Sequence, residues 1–91
     1  MHLPSLNALR MFDAAARWLN FGHAAEDLNL TQGAVAQQVR RLEADLGCKL
    51  FTRKARGLEL TEAGGTYAAQ VRRAMVIIED ATRAISADTQ T

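Results

Sequence analysis

The sequence predicts a mainly α fold: three short helices, a two-stranded hairpin, then one long helix. Three observations predict it. Apolar residues recur at helical spacing in four stretches, each preceded by a capping residue. Between the third and fourth stretches, two short β-like runs flank Lys54-Ala55-Arg56-Gly57. The last stretch carries a seam of 3–4 spacing over three heptads, longer than a small core can cover.

The whole chain sets the bounds. Its 91 residues suit one small domain. At 48% hydrophobic and 23% charged, the composition is that of a folded soluble protein. No apolar run approaches the roughly 20 residues of a membrane span, and no basic-then-apolar leader opens the chain. The one cysteine, Cys48, rules out an internal disulfide framework and fits a reducing cytoplasm. Neither histidine shares metal-ligand spacing with it. Net charge is only +1, but residues 31–60 hold six basic side chains against three acidic ones. A local basic patch on a nearly neutral chain points to an anionic partner meeting one surface.

Pro4-Ser5 marks the start of the first helix, Leu6 to about Leu19. Leu6, Leu9, Phe12, Ala16 and Leu19 are its expected apolar face. Arg10, Asp13 and Arg17 are placed on the solvated side, with Asp13 in reach of either arginine. Trp18 reads as a packing or edge residue. Asn20 can cap a second helix, Phe21 to Leu28, whose inward set is Phe21, Ala24, Ala25 and Leu28. His23 at its start reads as a surface residue, with a phosphate contact as the alternative. Asn29-Leu30-Thr31 makes a three-residue turn, and Asn29 tolerates the left-handed conformation such turns use. Short helix, three-residue turn and capped helix together are helix-turn-helix spacing.

The third helix carries the most informative pattern. Thr31 is its N-cap and Gly47 its terminating glycine. Val35, Val39, Leu42 and Leu46 form one narrow apolar stripe. The opposite face carries Gly33, Gln37, Arg40 and Ala44, with Gln32 and Ala36 beside them and Arg41 toward the flank. A solubilising face would show Glu and Lys in i, i+4 pairs. Here small residues permit close approach, glutamine can pair with adenine, and arginine reads guanine or holds phosphate. The plain alternative is a core helix whose polar side is merely solvated.

Lys49-Leu50-Phe51-Thr52-Arg53 and Gly57-Leu58-Glu59-Leu60-Thr61 read as two strands anchored by Leu50, Leu58 and Leu60. Cys48 before them reads as a small apolar filler. With Arg53, Lys54 and Arg56, the hairpin tip carries three cations. Such a wing can follow a phosphate backbone or enter a narrow minor groove. Thr61 caps the last helix, Glu62 to about Ala87, which is roughly 39 Å long. Gly64, Tyr67, Val71, Ala74, Ile78, Ala81 and Ile85 form its seam, with Ala68, Met75 and Thr82 alongside. The early part can pack on the first helix; the later part needs another chain. Gly64-Gly65 weakens a helix by about 1 kcal/mol per glycine relative to alanine. Close backbone approach is therefore expected there, to the wing or to a phosphate.

These residues, taken together, resemble a known family. Leu6 to Arg17, Phe21 to Ala25, Leu28 to Glu43, Leu46-Gly47, Leu50-Phe51 and Arg56 to Gly64 match in order and without gaps. They are similar to the N-terminal DNA-binding domain of LysR-type transcriptional regulators, most of all the glycine-cleavage and β-lactamase activators. The resemblance implies a winged helix-turn-helix over residues 1–61. It implies a linker and dimerisation helix over 62–87 that pairs antiparallel with its mate, then a tail or linker over 88–91. It implies a homodimer on double-stranded DNA at an interrupted palindrome, with room for a higher oligomer in a full-length protein. The compartment would be the bacterial cytoplasm, with no membrane role. A further C-terminal domain sensing a small-molecule inducer is implied, so the chain is expected to be part of a longer protein. No cofactor is expected in the chain itself.

By position, the resemblance places Thr31, Gln32, Gly33, Ala36, Gln37 and Arg40 at DNA on the recognition helix, and Arg53 and Arg56 at DNA on the wing. Arg41 and Lys54 complete the expected DNA-binding set. Tyr67, Val71, Ala74, Met75, Ile78, Ala81 and Ile85 are the expected dimerisation set. Gly33 stands where proline is frequent in the family, Ala36 where serine is, and Gln37 where arginine or histidine often reads a base. A protein-interaction module is the competing class, but it would favour aromatics and methionine over amides and cations on the exposed face. Enzyme chemistry has no candidate set: no Ser/His/Asp group, no paired carboxylates and no phosphate-cradling glycine loop.

Overall fold

Short polar residues set each helix start. The side-chain oxygens of Ser5, Asn20, Thr31 and Thr61 accept from the backbone N–H three residues on, at 2.9–3.1 Å. The computed structural model describes residues 1–89, with side chains to residue 87. Its elements are α1 (Leu6–Trp18), α2 (Phe21–Leu28), α3 (Gln32–Leu46), β1 (Phe51–Lys54), β2 (Gly57–Leu60) and α4 (Glu62–Thr89). The chain reverses in the left-handed region at Leu19, Asn29 and Gly47. Asn29 and Gly47 are the expected types. Leu19 is not, since a branched side chain costs about 1–2 kcal/mol there. Two bonds hold it: its N–H donates to Ala15 O at 2.8 Å, and its carbonyl accepts from Leu58 N–H at 2.9 Å.

The first three helices close around Phe12, Val35, Val39, Leu42 and Leu50, the largest fully buried side chains. The Phe12 ring meets Phe51 and Tyr67 at centroid distances of 5.6 and 5.5 Å, so α1 ties the wing and α4 to one core. The buried face of α1 differs from expectation in part: Phe12 is in the core and Leu9 and Ala16 pack against it as expected, but the fully buried set is wider. It is Ala8, Met11, Phe12, Ala14 and Ala15, while Leu6 and Leu19 stay 53% and 40% exposed. The small alanines let α2 and α3 approach, and that approach selects the face. Asp13 turns inward with this rotation and is 5% exposed, where a solvated position was expected. Its Oδ2 accepts from Arg17 at 3.2 Å and from Arg72 of α4 at 3.1 Å.

The hairpin is antiparallel, with Lys54 opposite Gly57, so only Ala55 and Arg56 form the turn. Lys49 and Leu50 precede β1 as a lead-in that both neighbouring helices grip. From α3, buried Glu43 accepts through Oε2 from the N–H groups of Leu50 (2.8 Å) and Phe51 (3.3 Å). From the α4 end, Thr61 Oγ1 donates to Lys49 O at 2.7 Å, and Thr61 N–H donates to Leu50 O at 3.0 Å. A Cβ on Gly64 would overlap the Leu50 carbonyl oxygen, so the close approach expected there is to the wing lead-in.

The 28 residues of α4 span about 42 Å of a molecule 49 Å long. Its first half packs on α1. Val71 and Met75 are each 6% exposed and Tyr67 is half-buried. These three were expected at a dimer seam and instead belong to the chain's own core, because heptad spacing does not distinguish an intrachain neighbour from a partner. Ala74, Ile78, Ala81 and Ile85 remain exposed, and Ile77 joins them at 68%. The helix runs to Thr89, so Asp88 and Thr89 belong to it and not to a tail; Gln90 and Thr91 lie outside the described residues. No described helix is long and apolar enough to cross a membrane.

Candidate nucleic-acid interface

The outer side of α3 follows from its buried side. Val35, Val39 and Leu42 are at most 1% exposed, which turns Gln32, Gly33, Gln37 and Arg40 outward together with the cap Thr31. Gly33 faces open space, with nothing within 4 Å of where a Cβ would stand. Ala36 departs from the expected set. Only 6% of its surface is exposed, its methyl group lies in the core cluster, and it presents almost nothing to a partner. Leu46, the last residue of the stripe, is 39% exposed beyond the core.

Arg40 and Arg41 part company. Arg40 borders grooves shared with Lys49, Thr52 and Arg53, on the wing side. Arg41 lines a groove with Gln38 and the N-terminal residues His2, Pro4 and Ser5. The two adjacent arginines therefore serve different surfaces, and only Arg40 joins the wing.

The three cations expected at the tip are spread along the hairpin. Arg53 lies with its guanidinium 5.7 Å from the Phe21 ring centroid, a cation–π contact that pins it near the start of α2. Lys54 Nζ is 3.7 Å from Glu59 across the strands, an exposed pair worth little in stability. Of the three, only Arg56 lies in the turn, exposed and without an ion pair among the described residues. Asn20, Gln32, Arg53, Lys54 and Gly57 line one polar groove. It joins the starts of α2 and α3 to the wing. A Cβ at Gly57 would sit 2.7 Å from the Leu19 carbonyl oxygen, so only glycine lets the turn end of the wing lie this close to the end of α1.

Sequence reading missed Lys49 and Thr52, which flank Arg40. Lys49 counted toward the basic balance of residues 31–60, but nothing in the strand pattern aimed it at α3. Cys48 also departs from expectation. It is exposed, in an apolar groove with Leu46, Ala63, Thr66 and Tyr67. His23 is exposed, its ring 5.6 Å from Trp18.

A half-buried helix with an amide-and-arginine outer face, set beside an arginine-bearing wing, has a direct counterpart. The family model for bacterial regulatory helix-turn-helix proteins of the lysR family matches residues 6–65. The chain belongs to this family. The LysR-type domain is 51% identical over 85 residues to the glycine cleavage system transcriptional activator of Escherichia coli K12, covering 93% of this chain and 28% of that protein. It is 64% identical over 61 residues to the HTH-type transcriptional regulator BlaA of Proteus vulgaris, covering 67% of this chain and 20% of that one. The chain thus spans under a third of the length of these curated relatives. Among solved structures it is similar to the CbnR DNA-binding domain in complex with DNA (TM-score 0.79, 32% identity, 96% of this chain and 100% of that one). It is also similar to Vibrio fischeri DarR in complex with DNA (TM-score 0.78, 33% identity, 99% and 30%). Its four helices and two-stranded sheet are those of the winged helix-turn-helix domains of LysR regulators.

Proposed function

We propose that this LysR-type domain reads double-stranded DNA as one head of a dimeric bacterial transcription regulator, with α3 in the major groove and the wing at the minor groove. One observation carries the reading: Gln32 and Arg53 line one groove at the start of α3, and Gln37 and Arg40 continue the exposed face while the other side of α3 is buried. A helix with such a face fits the roughly 12 Å major groove, where amides and guanidiniums meet base edges. Gln32 and Gln37 take base edges. Thr31 and Arg40 hold phosphate, with Lys49 beside Arg40. Arg53 and Arg56 serve the wing, Arg53 held in place by Phe21. Arg41 and Lys54 contribute charge at the margins. The relatives, a transcriptional activator and a transcriptional regulator by name, support the reading, as do the DNA complexes of similar domains.

The dimer forms through the second half of α4. Its exposed Ala74, Ile77, Ile78, Ala81 and Ile85 would be covered by the same segment of a second copy running antiparallel. The longer protein works in the cytoplasm and answers to a small molecule through a domain beyond this chain. Two substitutions test the DNA reading. Gln37→Ala should cost about 1–3 kcal/mol on the best site and relax one base position. Arg53→Ala should weaken binding on every sequence and flatten the salt slope by about one unit. Equal losses for Gln37→Ala on specific and random DNA would sink its base-reading role.

A further inference from the structure

We infer that Asp13 and Arg72 form the joint that fixes the angle between the reading head and α4, and so set the half-site spacing the dimer accepts. The inference rests on the proposed dimeric DNA reading and concerns residues outside its contact surface. Asp13 is 5% exposed on α1. Its Oδ2 accepts from Arg17 Nε at 3.2 Å and from Arg72 Nη1 at 3.1 Å. Arg72 also pairs with Glu79 along α4, while Arg17 Nη2 and Trp18 Nε1 both reach Asp27 Oδ2 on α2, at 3.3 and 3.2 Å. A continuous chain of charged groups therefore runs from α4 through α1 to α2, the first helix of the helix-turn-helix. Among the described residues, Asp13–Arg72 is the one ion pair between α4 and the rest of the chain.

The chemistry argues for placement more than for stability. An ion pair with a buried carboxylate is often no better for stability than apolar side chains of the same volume, because desolvation offsets the attraction. This one also leaves Arg72 Nε buried without a partner. What it does supply is direction: Arg72 Nη1 donates to the same oxygen, Asp13 Oδ2, that holds Arg17, so α4 and α1 are tied at one atom, whereas the apolar contacts of Val71 and Met75 beside it carry no direction. The lever is long. From Arg72 to Ile85 is about 20 Å of helix. A tilt of about 10° at Arg72 moves the far end by about 3.4 Å, the rise of one base pair. In an antiparallel pair each head hangs from one end of the joined helices, so the joint angle becomes the distance between heads.

The test uses Asp13→Asn, which keeps the shape but removes the charge. It also uses Arg72→Gln, at a side chain 34% exposed, which leaves the Asp13–Arg17 pair to hold the head. Each protein is titrated on an isolated half-site and on duplexes whose two half-sites are moved apart one base pair at a time. The native chain should lose at least tenfold in affinity one base pair from the best spacing. Both variants should lose threefold or less, with isolated half-site affinity within twofold of native. A DNA-free readout uses a nitroxide on the exposed Cys48 of each protomer. The inter-head distance distribution should be narrow in the native dimer and broad in both variants. Variants that keep the native spacing dependence and distance distribution would overturn the inference while leaving the DNA reading intact. So would variants that lose the same factor on the isolated half-site as on the palindrome. A native chain that is monomeric or has no preferred site would overturn the DNA reading itself.

Discussion

α3 and α4 are both amphipathic helices with apolar residues at 3–4 spacing, yet they use those residues differently. In α3 the chain's own core takes Val35, Val39 and Leu42, leaving a polar side with no structural duty. In α4 the core takes Tyr67, Val71 and Met75 and then stops, leaving Ile77, Ile78 and Ile85 apolar and bare. The spacing of a stripe reports that something covers it. The length of the helix against the size of the core reports what. α3 is a surface defined by what its core excludes; the second half of α4 is an apolar surface that the chain's own core does not cover.

The two helices also share a clamp on the wing lead-in, and its strength gives the largest predicted effects. Gly64→Ala drives a methyl group into the Leu50 carbonyl. It should cost more than about 3 kcal/mol in urea denaturation, in the range of severe backbone clashes. Its neighbour is the control: nothing lies within 4 Å of a Cβ at Gly65. Gly65→Ala should stabilise by about 0.4–1 kcal/mol. Similar effects at both positions would mean that α4 does not press on the lead-in.

From the α3 side, Glu43→Ala strips the N–H groups of Leu50 and Phe51 of their acceptor. A loss of about 2–4 kcal/mol is expected, with Glu43→Gln milder because an amide oxygen still accepts. The split within α4 comes next. Met75→Ala should lower the stability of the isolated head by about 2–3 kcal/mol at any protein concentration. Ile85→Ala should leave that stability within about 0.5 kcal/mol and instead raise the dimer dissociation constant, read by analytical ultracentrifugation. If Met75→Ala and Ile85→Ala behaved alike, the division of α4 at Met75 would be wrong.

The smallest effect is a pH slope. Burial raises the Tyr67 phenol above its ordinary 10.0. The unfolded chain then releases that proton first, so stability present below pH 10 declines as pH rises through the folded value. Tyr67→Phe should flatten part of that alkaline decline in thermal unfolding.

Most of the head was legible in the sequence because its signals are local. Thr31, Asn20, Asn29 and Gly47 act within three or four residues of themselves, and each does what its type suggests. What was not legible depends on distant partners. Asp13 looked solvated because its second partner, Arg72, is 59 residues away. The α1 face was legible only in part: Leu9, Phe12 and Ala16 meet the core as expected, while Leu6 and Leu19 do not, because alanines select a face by allowing approach and leucines only by size. Leu19 turns left-handed for a hydrogen bond to Leu58, which no propensity foretells. On the outer face of α3, Gln32, Gln37 and Arg40 were legible from the lack of Glu–Lys pairs there, and Arg53 from the cationic hairpin. Lys49 and Thr52 were not, because only the folded lead-in brings them beside Arg40.

The most direct test of DNA reading by α3 and the wing is a salt-dependent binding titration. It sets this 91-residue chain on an interrupted-palindrome duplex selected from a random pool against scrambled DNA of the same length. A preference of about a thousandfold or more for the selected site is expected. Affinity should also fall steeply with salt, by about 0.9 log units per phosphate contacted for each tenfold rise. Equal affinity for both duplexes, from a folded dimer, would contradict that reading.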